Sequence, residues 1–197
     1  MTYGELRDFV LQLLNRYSIA GEPIADSYND QADVKARIPQ LVRDGLLYMA
    51  TSCRRLREVA PLTNPKQMGE FRLYQLPDDC YQIIGGLLQN KSGSIQRFRN
   101  YRLVGGRQLL IGKEEPGDFL VEYFRYPSII CNDPDDDDFL DCPPEAQTAL
   151  AYYVASHLAM EDNNYLHGVL YNEFEMKMVR LQEGAMAECG VVEDVYG

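Results

Sequence analysis

Apolar positions over the first seventeen residues recur at helical spacing: Leu6, Phe9, Val10, Leu13, Leu14 and Tyr17. Thr2 and Glu5 stand ahead of them as a T-x-x-E capping box, the start signal of a helix. Gly21 and Pro23 end this helix, and the polar run ADSYND leads to a second start near Asp30 or Asp33. Val34, Ile38, Leu41, Val42, Leu46, Met49, Cys53 and Leu56 then mark one face of a long second helix. Pro39 inside it should kink or divide it, Gly45 should weaken it further, and APLTNP (60–65) should stop it.

From about residue 70 the period changes. FRLYQLP (71–77), SIQRFRNYRLV (94–104), RQLLIG (107–112) and DFLVEYFRYP (118–127) are β-branched and aromatic, with NKSG, Gly105-Gly106 and EEPGD as turns between them. Gly105-Gly106 between YRLV and RQLLI predicts a tight hairpin. DDCYQIIGG reads equally as a helical turn or a strand.

Helical spacing returns after the loop SIICNDPDDDDFLDCPP. Asp141 or Cys142 is placed to cap a helix with Pro143 and Pro144 in its first turn. Ala146, Ala149, Leu150, Tyr153, Val154, His157 and Leu158 give it a packing face. Ala151, Ala155 and Ala159 keep a second side small enough for close approach of another helix. EDNN breaks it, and a fourth helix carries Leu166, Leu170, Phe174, Met178, Leu181 and Ala185 on one side.

The expected fold is therefore mainly α with a β insertion (α+β). It is a small bundle of about four long helices, with an antiparallel β-hairpin or sheet between the second and third. The expected parts are N-terminal helices over 1–60, a β insertion over 70–127, an acidic loop over 128–142, C-terminal helices over 143–186 and an extended tail over 187–197.

Composition adds little until charge is mapped along the chain. At 197 residues, 46% hydrophobic and 25% charged, the chain is an ordinary globular one with room for a core. No apolar run approaches the ~18–20 residues of a membrane span, so no membrane partner is expected. The N-terminus has no basic region leading a signal core, so export is not expected. The five scattered cysteines, without a C-x-x-C pair, read as reduced thiols.

The net charge of −11 is unevenly spread: −4 over residues 1–34, +9 over 35–113 and −16 over 114–197. A protein that simply coats DNA is basic overall, which this one is not. The split allows two readings. The two signs complement each other within one subunit, or a basic surface on one copy meets an acidic surface on the next, a head-to-tail contact of the kind that closes rings.

Catalytic and metal patterns fail on inspection. Gly106–Lys113 has five residues between its glycines instead of four, and Glu114 stands where a phosphate-binding loop needs Ser or Thr. His157 and Glu161 have the spacing of a ligand pair, but such pairs are ordinarily surface contacts one turn apart. Asp133, Asp135 and Asp137 alternate like a calcium loop, yet Asp138 replaces the required glycine and Pro144 the bidentate glutamate. No enzyme activity, cofactor or metal is expected.

Two charged clusters are candidates for contact. Arg97, Arg99, Arg102 and Arg107 are interleaved with Phe98 and Tyr101, so alternation puts Arg97 and Arg99 on one strand face. A protein interface is the first reading, since arginine pairs bidentately with carboxylates. A solvated strand face comes second and single-stranded nucleic acid third. Asp135, Asp136, Asp137 and Asp138 form the acidic counterpart, either solvated or touching a basic surface on a neighbour.

LPDDCYQI (76–83), VEYFRYP (121–127), LDCPPEAQTALAYYVASHLAMEDN (140–163) and YNEFEMKM (171–178), in this order, resemble the head-to-tail adaptor proteins of tailed double-stranded-DNA phages. The resemblance spans roughly residues 30–185 through loose, non-catalytic elements. It implies a structural virion protein that forms a homo-oligomeric ring, a dodecamer, at the head–tail junction, assembled in the host cytoplasm. The implied partners are further copies of the chain, the portal protein, tail or nozzle proteins, and genomic DNA passing without sequence-specific binding. It also implies a C-terminal extension along the portal, carrying Val191, Val192, Val195 and Tyr196. Two other classes compete: a small helical DNA-binding regulator or packaging subunit, resting on the +9 of residues 35–113, and an enzyme of unrecognised type.

Overall fold

The computed structural model describes residues 1–14, 28–52, 55–90, 93–128, 130–161 and 163–188, with side chains described for these except 28–31 and 183–188. The chain divides into two compact units, one made of Met1–Arg54 with Pro127–Gly197 and the other of Arg55–Tyr126.

The first unit is helical. α1 (Tyr3–Leu13) opens on the predicted capping box, with the Glu5 amide donating to Thr2 Oγ1 and the Thr2 amide to Glu5 Oε2, 3.3 and 3.0 Å. Its apolar stripe, Leu6, Val10 and Leu11, is fully buried. α2 (Tyr28–Ser52) runs through the buried Pro39 without being divided there. Proline removes one ladder bond, and Val34, Ile38, Val42, Leu46 and Met49, all buried along one face, hold the helix on either side of it.

Gly45 serves packing. A Cβ there would lie 2.6 Å from Leu150 Cδ1 and 2.8 Å from Tyr153 Cδ1, so the missing side chain lets α3 (Pro144–Ala159) sit against the α2 backbone. The small residues Ala151, Ala155 and Ala159 are buried, and α4 (Asn164–Glu188) packs on α3. Phe174 of α4 is fully buried among the rings of Tyr48, Tyr153 and Tyr171. α3 has no side-chain cap. Asp141 accepts from the Ser128 amide instead, and Pro144 has no amide hydrogen to satisfy.

The second unit overturns the expected fold class. In place of a small antiparallel hairpin or sheet inserted in a helical bundle, the described residues form eight strands in two four-stranded antiparallel sheets, giving a β-rich α+β protein. One sheet has the order β1 (Leu56–Pro61), β8 (Asp118–Arg125), β4 (Cys80–Gln89), β5 (Ile95–Phe98). The other has the order β2 (Lys66–Met68), β3 (Phe71–Gln75), β7 (Gln108–Gly112), β6 (Tyr101–Val104). Tyr74, Leu109 and Ile111 of the second sheet share one core with Leu88, Phe98, Phe119, Val121 and Tyr123 of the first. Arg72 ties the sheets further. It donates to the Gly112 and Glu115 carbonyls, and its guanidinium lies 5.1 Å over the Phe119 ring.

Three local readings account for the error. Leu56 continues the helical spacing of α2, but Leu56–Pro61 pairs with β8, and long-range pairing decides the state of a short ambivalent segment. The ambiguous DDCYQIIGG belongs to β4, the longest strand, which carries irregularities at Cys80/Gln82 and Ile83/Gly85. The single strand expected over 94–104 is two strands in different sheets, β5 and β6, with Arg99-Asn100 turning between them. Gly105-Gly106 does make the β6–β7 turn, both residues with positive φ (59° and 75°).

Candidate functional site

The arginine cluster is divided by this topology. Arg97 lies on β5 opposite Leu87, and Arg99 follows at its end, both exposed, while Phe98 between them enters the core. Arg102 is exposed on β6 of the other sheet, opposite Leu110. Arg107, in the β6–β7 turn, donates to the Asp78 carbonyl at 3.2 Å and stands 4.0 Å from the Asp78 carboxylate. The structure thus brings Arg97 and Arg99 together and sets Arg102 and Arg107 apart from them. Arg97, Arg99 and Arg102 make no hydrogen bond or ion pair with any described residue.

Arg97 and Arg99 edge a pocket of about 270 Å³ whose other walls include Ile84, Leu87, Phe98 and Tyr101. The pocket exists because β4 carries Gly85-Gly86. A Cβ on Gly85 would meet nothing within 4 Å, so its absence leaves space. A Cβ on Gly86 would crowd the Phe98 carbonyl at 3.0 Å and the Tyr101 ring at 3.1 Å. Glu122 of β8, largely buried, also lines the pocket and is held by Arg57, whose Nε donates to Glu122 Oε1 at 2.6 Å. The pair neutralises the one buried carboxylate of the described residues, as burial demands. Sequence reading did not single out Gly85, Glu122 or Arg57. Two adjacent glycines inside a strand pattern were the available signal, since glycine there marks a bulge or close approach.

The acidic loop is bound within its own unit. The Tyr3 amide donates to the Asp138 carbonyl at 2.8 Å and the Gly4 amide to the Asp136 carbonyl at 2.9 Å, satisfying the first free donors of α1. Gly4 is required for this approach, because a Cβ there would lie 2.9 Å from Asp136 Cβ. Arg7 pairs with the Asp136 carboxylate, and Asp138 accepts from the Asp135 amide at 3.1 Å. Asp135 and Asp137 keep exposed carboxylates without a described partner. Phe139 closes the run, its backbone bridged to Thr2 and its side chain 82% exposed. Val191, Val192, Val195 and Tyr196 lie outside the described residues.

The remaining candidates are engaged elsewhere. Glu161 makes a two-point pair with Arg37 (3.0 and 3.1 Å), and His157 Nδ1 lies 2.8 Å from the Tyr153 carbonyl. Among the described residues no group of three His, Cys, Asp or Glu side chains is arranged to hold a metal ion. Cys80, Cys131 and Cys142 are free, and burial beside Asp141 pushes the Cys142 thiol up to about 12. Tyr123 is raised to about 12 by burial and then by Asp79, to which its hydroxyl donates at 3.2 Å.

Charge also differs between the two units, though less steeply than between the stretches of the sequence. Arg55–Tyr126 carries eleven basic and eight acidic residues, net +3, and the helical unit eight basic and twenty-two acidic, net −14, together the −11 of the chain.

No curated protein matches the chain. Among the solved chains similar to it at a low level are two from gene transfer agent particles. One, from the neck of an empty gene transfer agent particle computed with C6 symmetry, is 13% identical with a TM-score of 0.29, over 83% of each chain. The other, from the virion of a native gene transfer agent particle, is 14% identical with a TM-score of 0.30, again over 83% of each chain. The family model described as SU10 adaptor protein matches residues 1–188, in agreement with the resemblance to head-to-tail adaptors noted in the sequence, and the chain belongs to that family of structural virion proteins.

Proposed function

We propose that the chain is one subunit of a homo-oligomeric ring, a dodecamer, that joins the portal to the tail and builds part of the DNA channel, and that it works without chemistry. The carrying observation is the split of charge between two separately built units, −14 against +3, with unpaired arginines on the second. Two unlike surfaces on one subunit suit heterologous contacts, which close into rings when the rotation allows. Membership of an adaptor family supports the same reading. An acidic helical unit also suits a channel through which DNA slides, since like charge discourages sticking. The regulator reading rested on one basic stretch, residues 35–113, and that stretch is shared between the two units.

The test is particle imaging and native mass spectrometry of the purified chain with its portal protein. Closed rings seated on the portal are expected, with no salt-dependent retention of duplex DNA. A monomer that ignores the portal would refute the proposal.

A further inference from the structure

We infer that the pocket at Arg97 and Arg99 receives the Asp135–Phe139 loop of a second copy of this chain, with the Phe139 ring inside and the two arginines on Asp135 and Asp137. The inference rests on the ring reading and supplies the residues of one of its contacts.

Four observations converge on it. First, the pocket is small: its roughly 270 Å³ lies at the lower edge of the ~300–1,000 Å³ of small-molecule sites and has room for an aromatic side chain. Second, its walls are mixed. Ile84, Leu87, Phe98 and Tyr101 offer apolar and aromatic contact, and two guanidinium groups without described partners stand at the edge. Third, Phe139 leaves 82% of its surface in water although its backbone is fixed by the bridge to Thr2 and by the Tyr3–Asp138 hydrogen bond. A rigidly presented, exposed aromatic ring is the form of an interface anchor, with little ordering cost on binding.

Fourth, the loop's charges are sorted. Asp136 is used by Arg7 and Asp138 by the Asp135 amide, which leaves Asp135 and Asp137, both just before the ring in sequence, with carboxylates that no described residue engages. Arginine matches a carboxylate bidentately, and such pairs steer encounter as well as fix register. A nucleic-acid strand fits less well, because Glu122 places a carboxylate in the pocket wall and the chain carries −11 overall. Pocket and loop are different patches, so each copy uses its pocket on one neighbour and offers its loop to the other, which is the head-to-tail geometry of a ring.

The experiment replaces Phe139 with photoreactive benzoylphenylalanine in full-length chain assembled on portal from equal parts of ¹⁵N-labelled and unlabelled protein. Cross-links from position 139 into residues 84–101 that join a labelled to an unlabelled peptide are expected. Cross-links confined within one isotope form, or landing elsewhere, overturn the inference.

A second arm uses charge reversal or removal. Arg97→Glu with Arg99→Glu, and separately Phe139→Ser with Asp135→Ala and Asp137→Ala, should each raise the concentration for half-assembly about tenfold or more. Mixed together, the two variants keep one intact contact per pair and should stop at a 1:1 dimer. Wild-type assembly by both variants overturns the contact while leaving the ring standing. If wild type never assembles, the ring and this contact fall together. If the arginine variant assembles normally but loses retention on single-stranded DNA, the pocket serves nucleic acid and the inference is wrong.

Discussion

The helical unit and the β unit solve the same problem of burying a small core by different means. The helical unit gathers four stripes of apolar residues around small side chains, and Gly45 and Ala151, Ala155 and Ala159 decide how closely the backbones approach. Its charged residues are then mostly acidic, twenty-two against eight basic. The β unit relies on pairing between strands far apart in sequence, with Arg72 drawn across to the loop after β7 and over Phe119. There charge is interspersed, one carboxylate is buried against an arginine, and a glycine leaves a pocket where a side chain would have been. Shape in the first unit comes from what is small inside it, and in the second from what is missing at its surface.

The contrast can be broken most forcefully at Phe174. Phe174→Ala removes a fully buried ring from the helical core and should cost about 3–5 kcal/mol. Followed by helical circular dichroism together with hydrogen exchange, the helical transition should move while protection in β4 and β8 stays. An equal loss in both units would show one cooperative structure instead of two.

Glycine substitutions probe the same difference more gently. Gly45→Ala drives a methyl into Leu150 and Tyr153 and should cost about 1–3 kcal/mol, offset in part by better helix propensity. Gly85→Ala meets nothing within 4 Å and should lie within about 0.5 kcal/mol of wild type in denaturant melts, while narrowing the pocket. A Gly85→Ala variant as unstable as Gly45→Ala would mean the pocket is structurally required.

The smallest effect is on alkaline stability. The Cys142 thiol ionises near 9 when free and at about 12 when folded, so above 9 the unfolded chain loses a proton that the folded chain keeps. Its contribution is complete below 9 and is lost as pH rises toward 12. Cys142→Ser should flatten the alkaline limb of the stability curve in that window, with no change near neutrality. A limb of unchanged slope would assign the alkaline loss to the tyrosines whose hydroxyls burial raises, Tyr123 among them.

What could be read from the sequence was local. The Thr2–Glu5 box, the Gly105-Gly106 turn and the small face of α3 each depend on residues a few positions apart, and each stands in the structure as expected. What failed was non-local. Leu56–Pro61 reads as the end of a helix until β8 is beside it, and SIQRFRNYRLV shows no break at Arg99-Asn100 because the break is a change of sheet. Arg97 and Arg99 alternate with Phe98 as their spacing predicts, yet nothing in that spacing shows that Arg102 joins another sheet. The acidic loop was visible as charge only. That Asp138 is spent on the Asp135 amide is a matter of the loop itself, and that Asp136 is spent on Arg7 follows from α1, more than a hundred residues earlier in the chain.

That last connection sets a timetable for synthesis. Arg7 and its partner Asp136 are 129 positions apart, so at ~5–20 residues per second the ribosome separates them by roughly 6–26 s. Throughout that interval α1 and α2 exist without α3, α4 or the loop that receives the first amides of α1, whereas the β unit is one unbroken stretch with all its strands in hand. The acidic unit is the first to begin and the last to close, and newly made chains offer their apolar helical stripes to chaperones or to one another until it does.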